Sequence, residues 1–342
     1  MTDRSSSLAE LDAALATTLA GATPAARSGL RRLAAYRAPS PTIEYPTNRL
    51  AAVLVLLHLD PTGELSVTLT TRSKHLRSHP GETALPGGRW EEGDGVGGEW
   101  TALREAHEEI GLPLPLRPGQ PPTSNQADPA PLLYLTTLPA YSSRTLLVVL
   151  PVVYLLLQPP ETASTSCLPS FLKPNPDEVD AIFHLPLRSF LMLPTDNDND
   201  NNNAANDDTE RLSHTYTDYT WLLSRPYRLH SFSTLPSSRA SDDKSARHSA
   251  VTGLTADIVL DTALLAYYGS LDAAELPPDA VGFERRAQGQ MEWNEIVAEA
   301  LGMQKNAATG GGGKDGDASR ETGLGARLSP PRTAADERTS AT

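Results

Sequence analysis

Two stretches of helical spacing open the chain, Leu8 to Ala20 and Ala25 to Tyr36, and predict a pair of N-terminal helices. From Arg49 the pattern changes. Leu50 to Leu57 and Leu65 to Thr71 are rich in apolar and β-branched residues, and Asp60-Pro61-Thr62-Gly63 between them is turn chemistry. These segments therefore read as paired strands. Residues 113–130 are Pro-rich and loop-like, and Leu132 to Leu138 and Leu146 to Leu157 follow as strands. The second of these is a run of mostly Leu and Val interrupted by Pro151, too short to span a bilayer. Tyr216 to Phe232 predicts one or two more strands, and Leu254 to Tyr268 the last core helix.

Residues 104–112, Arg-Glu-Ala-His-Glu-Glu-Ile-Gly-Leu, carry the chemistry. On a helix, Ala102, Leu103, Ala106 and Ile110 fall within one sector about 100° wide, the buried stripe of an amphipathic helix. Glu105, Glu108 and Glu109 fill the adjacent sector at spacings i, i+3 and i+4. Such carboxylates repel one another by a few tenths of a kcal/mol per pair, roughly, unless a cation stands between them. A hard divalent cation with oxygen ligands, Mg²⁺ or Mn²⁺, would offset that repulsion. A solvated acidic face is the other reading of the helix alone. Upstream, residues 85–95 read Leu-Pro-Gly-Gly-Arg-Trp-Glu-Glu-Gly-Asp-Gly, a turn that lets backbone approach a ligand closely.

The order Gly-Gly, acidic loop, Arg-Glu-(apolar)-x-Glu-Glu-x-Gly-(apolar) resembles the Nudix box, a loop–helix–loop that holds metal against a pyrophosphate. Arg104, Glu105, Ala106, Glu108, Glu109, Gly111 and Leu112 match its helix half. The loop half departs from it. Fifteen residues separate Gly88 from Arg104, two more than in the usual box, and Val96 stands where a Glu is usual. Glu91, Glu92 and Asp94 are the candidates to replace that Glu. Residues 67–88 resemble the signature of Nudix coenzyme A pyrophosphatases, matching at Arg72, Ser73, Leu76, Arg77, His79, Gly81, Pro86, Gly87 and Gly88, with Leu85 in place of Phe. Val251 to Leu260 looks like that subfamily's closing Gly-Leu-Thr-Ala helix. Glu178 to Leu185, before Pro186-Leu187, looks like the strand that precedes a short helix.

The resemblance implies a Nudix α/β/α sandwich with a mixed β-sheet over residues 47–270. A helical extension (1–46) would precede it and a C-terminal extension (271–342) would follow, disordered after about residue 304. Polar insertions are expected near 195–210, where the Asn/Asp tract should be disordered, and near 233–249. Activity is expected to be metal-assisted hydrolysis of the pyrophosphate of coenzyme A or acyl-coenzyme A, giving 3′,5′-ADP and the (acyl-)4′-phosphopantetheine. Glu105, Glu108 and Glu109 would bind Mg²⁺ or Mn²⁺, Arg104 would orient a carboxylate, and Glu178 is the candidate accessory base. Gly87 and Gly88 would line the substrate. Arg72, Lys74, Arg77 and His79 put four cationic donors within eight positions, which suits a ligand with a pyrophosphate and a separate 3′-phosphate. For Arg72 and Arg77 the competing role is an ion pair with the acidic helix, and for His79 a turn cap. His107 reads as a solvent-facing or packing residue. Other readings are a Nudix pyrophosphatase acting on oxidised nucleotides or nucleotide-sugars and, in another class, a non-catalytic Nudix-fold binding or scaffold protein.

Composition narrows this further. A net charge of −13 argues against a nucleic-acid-binding surface. The single cysteine, Cys167, excludes an intrachain disulfide and suggests a reducing compartment. Asp3, Glu10 and Asp12, with no apolar signal core, speak against secretion. The expected location is intracellular, peroxisomal or cytoplasmic, although Ser340-Ala341-Thr342 is not a Ser-Lys-Leu address. Gly310 to Lys314 lacks the Ser or Thr and the preceding strand of a phosphate loop, so it is set aside.

Overall fold

The computed structural model describes residues 4–41, 43–95, 97–115, 131–158, 169–192, 212–235, 248–309, 327–328 and 331–333, with residues 4–6 and 303–309 described by backbone alone. The expected Asn/Asp insertion, most of the 113–130 and 233–249 loops, Cys167 and Gly310 to Lys314 lie outside these residues.

Helices α1 (Arg4–Ala16) and α2 (Pro24–Ala35) come first. Thr23 caps α2, its Oγ1 accepting from the Ala26 amide at 3.1 Å, and Pro24 follows at the first helical position, where its missing N–H costs nothing. The main sheet has β1 (Leu50–Leu59), β2 (Leu65–Arg72), β3 (Thr83–Ala84), β4 (Gly87–Arg89), β5 (Leu132–Thr137), β6 (Tyr141–Ser142), β7 (Val148–Leu156) and β8 (Val179–Pro186). β1 and β7 run parallel from Leu50↔Val148 to Leu57↔Leu155, and every other pairing is antiparallel, so the sheet is mixed.

Helices cover both faces, which is why β1 and β7 read as continuous apolar runs rather than alternating ones. On β1, Leu50, Ala52, Leu54 and Leu56 pack with Ala102, Leu103, Ala106 and Ile110 of helix α3 (Glu99–Ile110). The residues between them, Ala51, Val55 and Leu57, pack on the other side with Leu30 and Leu33 of α2 and with Val259, Ala263 and Leu264 of α4 (Gly253–Tyr268). The helical stripe expected in the 102–110 segment is thus the buried one.

The strands expected over Tyr216 to Phe232 are present, but their placement and one further helix were not legible in the periodicity. The Tyr216 to Phe232 segment is a hairpin of two ten-residue strands, β9 (Leu212–Trp221) and β10 (Arg225–Thr234). It forms a second sheet with β11 (Val251–Thr252) and β12 (Arg332–Thr333) instead of extending the first. Helix α5 (Trp293–Thr309) was not predicted at all. Its Val297 and Leu301 join the core beneath α3, while Ile296 and Ala300 pack with Trp221, Leu222 and Tyr227 of the second sheet.

Candidate functional site

Helix α3 is bounded by glycines in the left-handed region, Gly98 (φ 74°) at its start and Gly111 (φ 67°) at its end. The Gly111 amide bonds back to the His107 carbonyl at 3.0 Å. Beyond that cap the next segment folds back onto the helix. The amides of Lys173 and Asn175 donate to the last carbonyls of α3, those of Ile110 and Glu109, each at 2.9 Å. Asn175 in turn accepts from the Glu178 and Val179 amides. This brings Glu178 beside the carboxylate face, and its own carbonyl accepts from the Ser73 amide at 2.8 Å. Helix end, Glu178 and the start of the basic loop therefore meet through backbone bonds that no side-chain pattern announces.

The carboxylates differ sharply in surroundings. Glu109 is buried, its Oε2 accepting from the Gly87 amide at 3.1 Å and its Oε1 lying 3.7 Å from Arg72 Nη1. Burial pushes its carboxyl up to about 8. The Gly87 amide and Arg72 oppose that rise, and Glu105 and Glu178 add to it. Glu105 is also raised, first by burial and then by Glu108 and Glu178, against the pull of Arg104. Glu108 is half exposed. Both glycines before the box sit in close contact, Gly87 against backbone and Gly88 against the end of the Glu105 side chain. A Cβ on Gly88 would stand 2.4 Å from the Glu105 carboxyl, and one on Gly87 would stand 2.4 Å from the Ala52 carbonyl oxygen.

Arg104 organises the group. Its Nε and Nη2 donate to Asp94 at 3.2 and 3.1 Å, Nη2 also donates to the Arg89 carbonyl at 2.8 Å, and Nη1 reaches Glu105 at 3.0 Å and Glu108 at 3.3 Å. Of the three loop carboxylates considered, Asp94 makes the close two-point contact with Arg104. Burial pushes its carboxyl up, but hydrogen bonds from Arg104 and the Glu91 amide outweigh that and hold it below the usual range. Glu91 is mostly exposed and reaches Arg104 only at 3.9 Å. Asp94 sits in the longer loop, in which Trp90 Nε1 donates to the Gly95 carbonyl at 2.7 Å.

Arg72 is only partly exposed and faces Glu109, so the ion pair with the acidic helix is realised there. Lys74, Arg77 and His79 lie exposed on the loop that follows. Among the described residues Arg77 makes no ion pair, whereas His79 Nδ1 meets Glu82 Oε2 at 2.8 Å. His107 is exposed, with Nδ1 against the Leu112 carbonyl at 2.8 Å.

The donor set suits a hard divalent cation: oxygen ligands only, with Glu108 and Glu178 helping to raise the Glu105 carboxyl and Glu105 and Glu178 helping to raise that of Glu109. As the side chains stand, no three such groups among the described residues converge on one point. Arg104 Nη1 lies within 3.3 Å of both Glu105 and Glu108 and supplies the positive charge itself.

Residues 48–201 match the model of the NUDIX domain. A Caenorhabditis elegans protein named peroxisomal coenzyme A diphosphatase ndx-8 is 38% identical over 141 residues, which are 41% of this chain and 50% of that one. Nudix hydrolase 15, mitochondrial, of Arabidopsis thaliana is 40% identical over 141 residues (41% of each chain). Peroxisomal coenzyme A diphosphatase 1 of Saccharomyces cerevisiae is 36% identical over 156 residues, 43% of this chain and 44% of that one. The chain spans half or less of the length of these three relatives. Nudix hydrolases generally depend on a divalent metal. The box helix thus lies on one face of a mixed sheet within residues 48–201, the segment that is similar to the NUDIX domain.

Proposed function

We propose that the chain hydrolyses the pyrophosphate bond of coenzyme A and its acyl derivatives, releasing 3′,5′-ADP and the (acyl-)4′-phosphopantetheine. One juxtaposition carries this reading: the cationic loop of Lys74, Arg77 and His79 starts at Arg72, which itself stands 3.7 Å from the buried Glu109 of the box helix. A substrate with a pyrophosphate at the carboxylates and a further phosphate a few ångströms away matches that layout. The names of the worm and yeast relatives support the same substrate.

In this mechanism Glu105, Glu108 and Glu109, with Glu178 beside them, would hold Mg²⁺ or Mn²⁺, which when bound supplies Lewis-acid polarisation of the phosphoryl oxygens and a water of lowered pKa. The chain's own groups do the rest. Asp94 keeps Arg104 against the helix, where its guanidinium orients Glu105 and Glu108. The Gly87 amide and Arg72 orient Glu109. Gly87 and Gly88 leave room for backbone to approach the phosphates. Water adds to one phosphorus as the P–O–P bridge breaks, and Glu178 takes the proton that the water loses. Lys74, Arg77 and His79 bind the remaining phosphate.

The substrate is a small molecule in this reading, and the charge of −13 gives a nucleic acid no favourable surface. No helix among the described residues is long and apolar enough to cross a membrane. The names of the worm and yeast relatives support a peroxisomal location, with a cytoplasmic one as the alternative, while the Arabidopsis relative's name is mitochondrial; microscopy of the full chain with an internal tag distinguishes these. The activity is tested by assaying the purified chain with Mg²⁺ or Mn²⁺ against coenzyme A, NADH, ADP-ribose and 8-oxo-dGTP. Preferred turnover of coenzyme A is expected. Preference for one of the other three substrates would replace the substrate assignment, and no turnover of any would favour a binding protein.

A further inference from the structure

The basic loop is tied to a part of the molecule outside the matched family domain. Residues 73–82 bulge from the sheet between β2 and β3. The loop is closed at its base where the Arg72 amide donates to the Glu82 carbonyl at 2.9 Å and the Gly81 amide to the Arg72 carbonyl at 3.0 Å. Two of its residues occupy the left-handed region, Gly81 (φ 71°) and, unusually for a residue with a side chain, His79 (φ 55°). A non-glycine residue there is held by its surroundings. Among the described residues, hydrogen bonds from outside the loop come from two places. One is Glu178, through the Ser73 amide. The other is Ser249, distant by more than 160 positions, whose Oγ donates to the Gly81 carbonyl and whose own carbonyl accepts from Thr83 Oγ1 at 2.7 Å.

These two bonds clasp the chain on both sides of Glu82. Ser249 is itself well anchored. Next to it His248 stacks on Phe183 of β8 with ring centroids 3.6 Å apart. Two residues on, Val251 is buried and paired with Phe232 of β10 in the second sheet.

We infer that Ser249, acting with Thr83, is a positioning residue that sets the conformation of the cationic loop, so that the second sheet contributes to substrate recognition without touching substrate. For the substrate this rests on the coenzyme A reading above; for the loop it rests on the two bonds alone.

The test uses the full chain. Ser249→Ala and Thr83→Val each remove one bond and keep the backbone, and Ser249→Thr keeps the hydroxyl. Each single loss should raise KM for coenzyme A about three- to tenfold, and the pair about tenfold or more, with kcat within about twofold of wild type. Dephospho-coenzyme A, which lacks the 3′-phosphate, should be affected much less, and Ser249→Thr should behave as wild type. Hydrogen exchange of the loop amides, read by mass spectrometry, should accelerate in the double variant and needs no substrate. An unchanged exchange rate overturns the inference, as does an equal loss on both substrates accompanied by a lower melting temperature. Faster exchange in the loop of a protein that does not turn over coenzyme A would uphold the clasp and remove the substrate reading.

Discussion

Individual side chains carry the division of labour on the box helix. Glu109 is both the most buried of its carboxylates and the one most strongly raised, because burial and two neighbouring carboxylates outweigh Arg72 and the Gly87 amide. Glu109→Gln keeps the shape and the bond from the Gly87 amide but removes the charge that a cation needs. The variant should fold normally and lose at least about ten- to hundredfold in activity at saturating metal, the scale seen for groups around metals. Turnover within about threefold of wild type would refute its role as a ligand. Arg77 is exposed and unpaired among the described residues, as a ligand-binding cation should be. Arg77→Ala should raise KM for coenzyme A by about ten- to a hundredfold over the change for dephospho-coenzyme A, since a charge-assisted phosphate contact is worth roughly 1.5–3 kcal/mol. Parallel kinetics with a melting curve decide this, because a bracing role would depress both substrates and stability together.

At the level of elements, the β9–β10 hairpin is built round two neutral histidines. His230 Nε2 is 2.9 Å from the Arg285 carbonyl and so must donate; its Nδ1 then accepts from His214 Nε2 at 3.0 Å. Burial pushes His214 down to about 3, helped by His230 and Arg228. Burial also pushes His230 down to about 4, the Arg285 carbonyl opposing this and Arg228 and Arg285 adding to it. An unfolded chain titrates both near 6.5. Their effect on stability is therefore nil above about pH 6.5 and grows unfavourable as pH falls toward 4, because the unfolded state takes up protons that the fold refuses. The buried Asp257, raised to about 7 chiefly by burial, has the opposite sign: it favours the fold at low pH and loses that contribution as pH rises through 7. The melting temperature of the wild type should fall between pH 6.5 and 4.5. A His214→Gln/His230→Gln variant should lose that fall, because Asp257 and Glu109, whose carboxyls burial raises to about 7 and about 8, then offset the buried His58, which burial and His184 push down to about 3. Equal slopes would show that the pair does not titrate in this window.

At the scale of the whole molecule, the main sheet, the second sheet and α5 share packed surfaces. Deleting α5 from Trp293 would remove Ile296, Val297, Ala300 and Leu301, all buried. At roughly 1.5–3 kcal/mol for each large apolar side chain, that approaches the ~5–15 kcal/mol that holds a typical domain together. Such a truncation should give insoluble protein or a loss of cooperative melting. Truncation after Met303 keeps those four residues but removes β12, whose pairing with β9 is structure where the sequence led one to expect disorder. Because β12 is two exposed residues long, the melting temperature and activity should change little, as scanning calorimetry and the coenzyme A assay would show. Loss of soluble expression on the second truncation would mean that the tail belongs to the core.

The amino-acid sequence alone determined the box helix, the strand pair before it, the Gly-Gly turn and the set of carboxylates and cations. Each rests on local spacing: an apolar stripe at 3.6 residues, a turn tetrapeptide, charges three and four apart. It also left three candidates for the missing loop carboxylate, because Glu91, Glu92 and Asp94 are alike in charge and differ only in where the loop buries them. Tertiary structure distinguishes them by geometry, placing Asp94 in two-point contact with Arg104 and Glu91 only at 3.9 Å. The same holds for Glu178, carried to the helix by backbone bonds through Asn175, and for Ser249, carried to the basic loop by the second sheet. Helix α5 escaped the reading because its buried residues are split between two clusters, Val297 and Leu301 in the main-sheet core and Ile296 and Ala300 with Trp221 and Tyr227 of the hairpin, so no single apolar stripe marks it. Local periodicity records which face of an element is buried, but contacts between residues far apart along the chain exist only once the chain has closed upon itself.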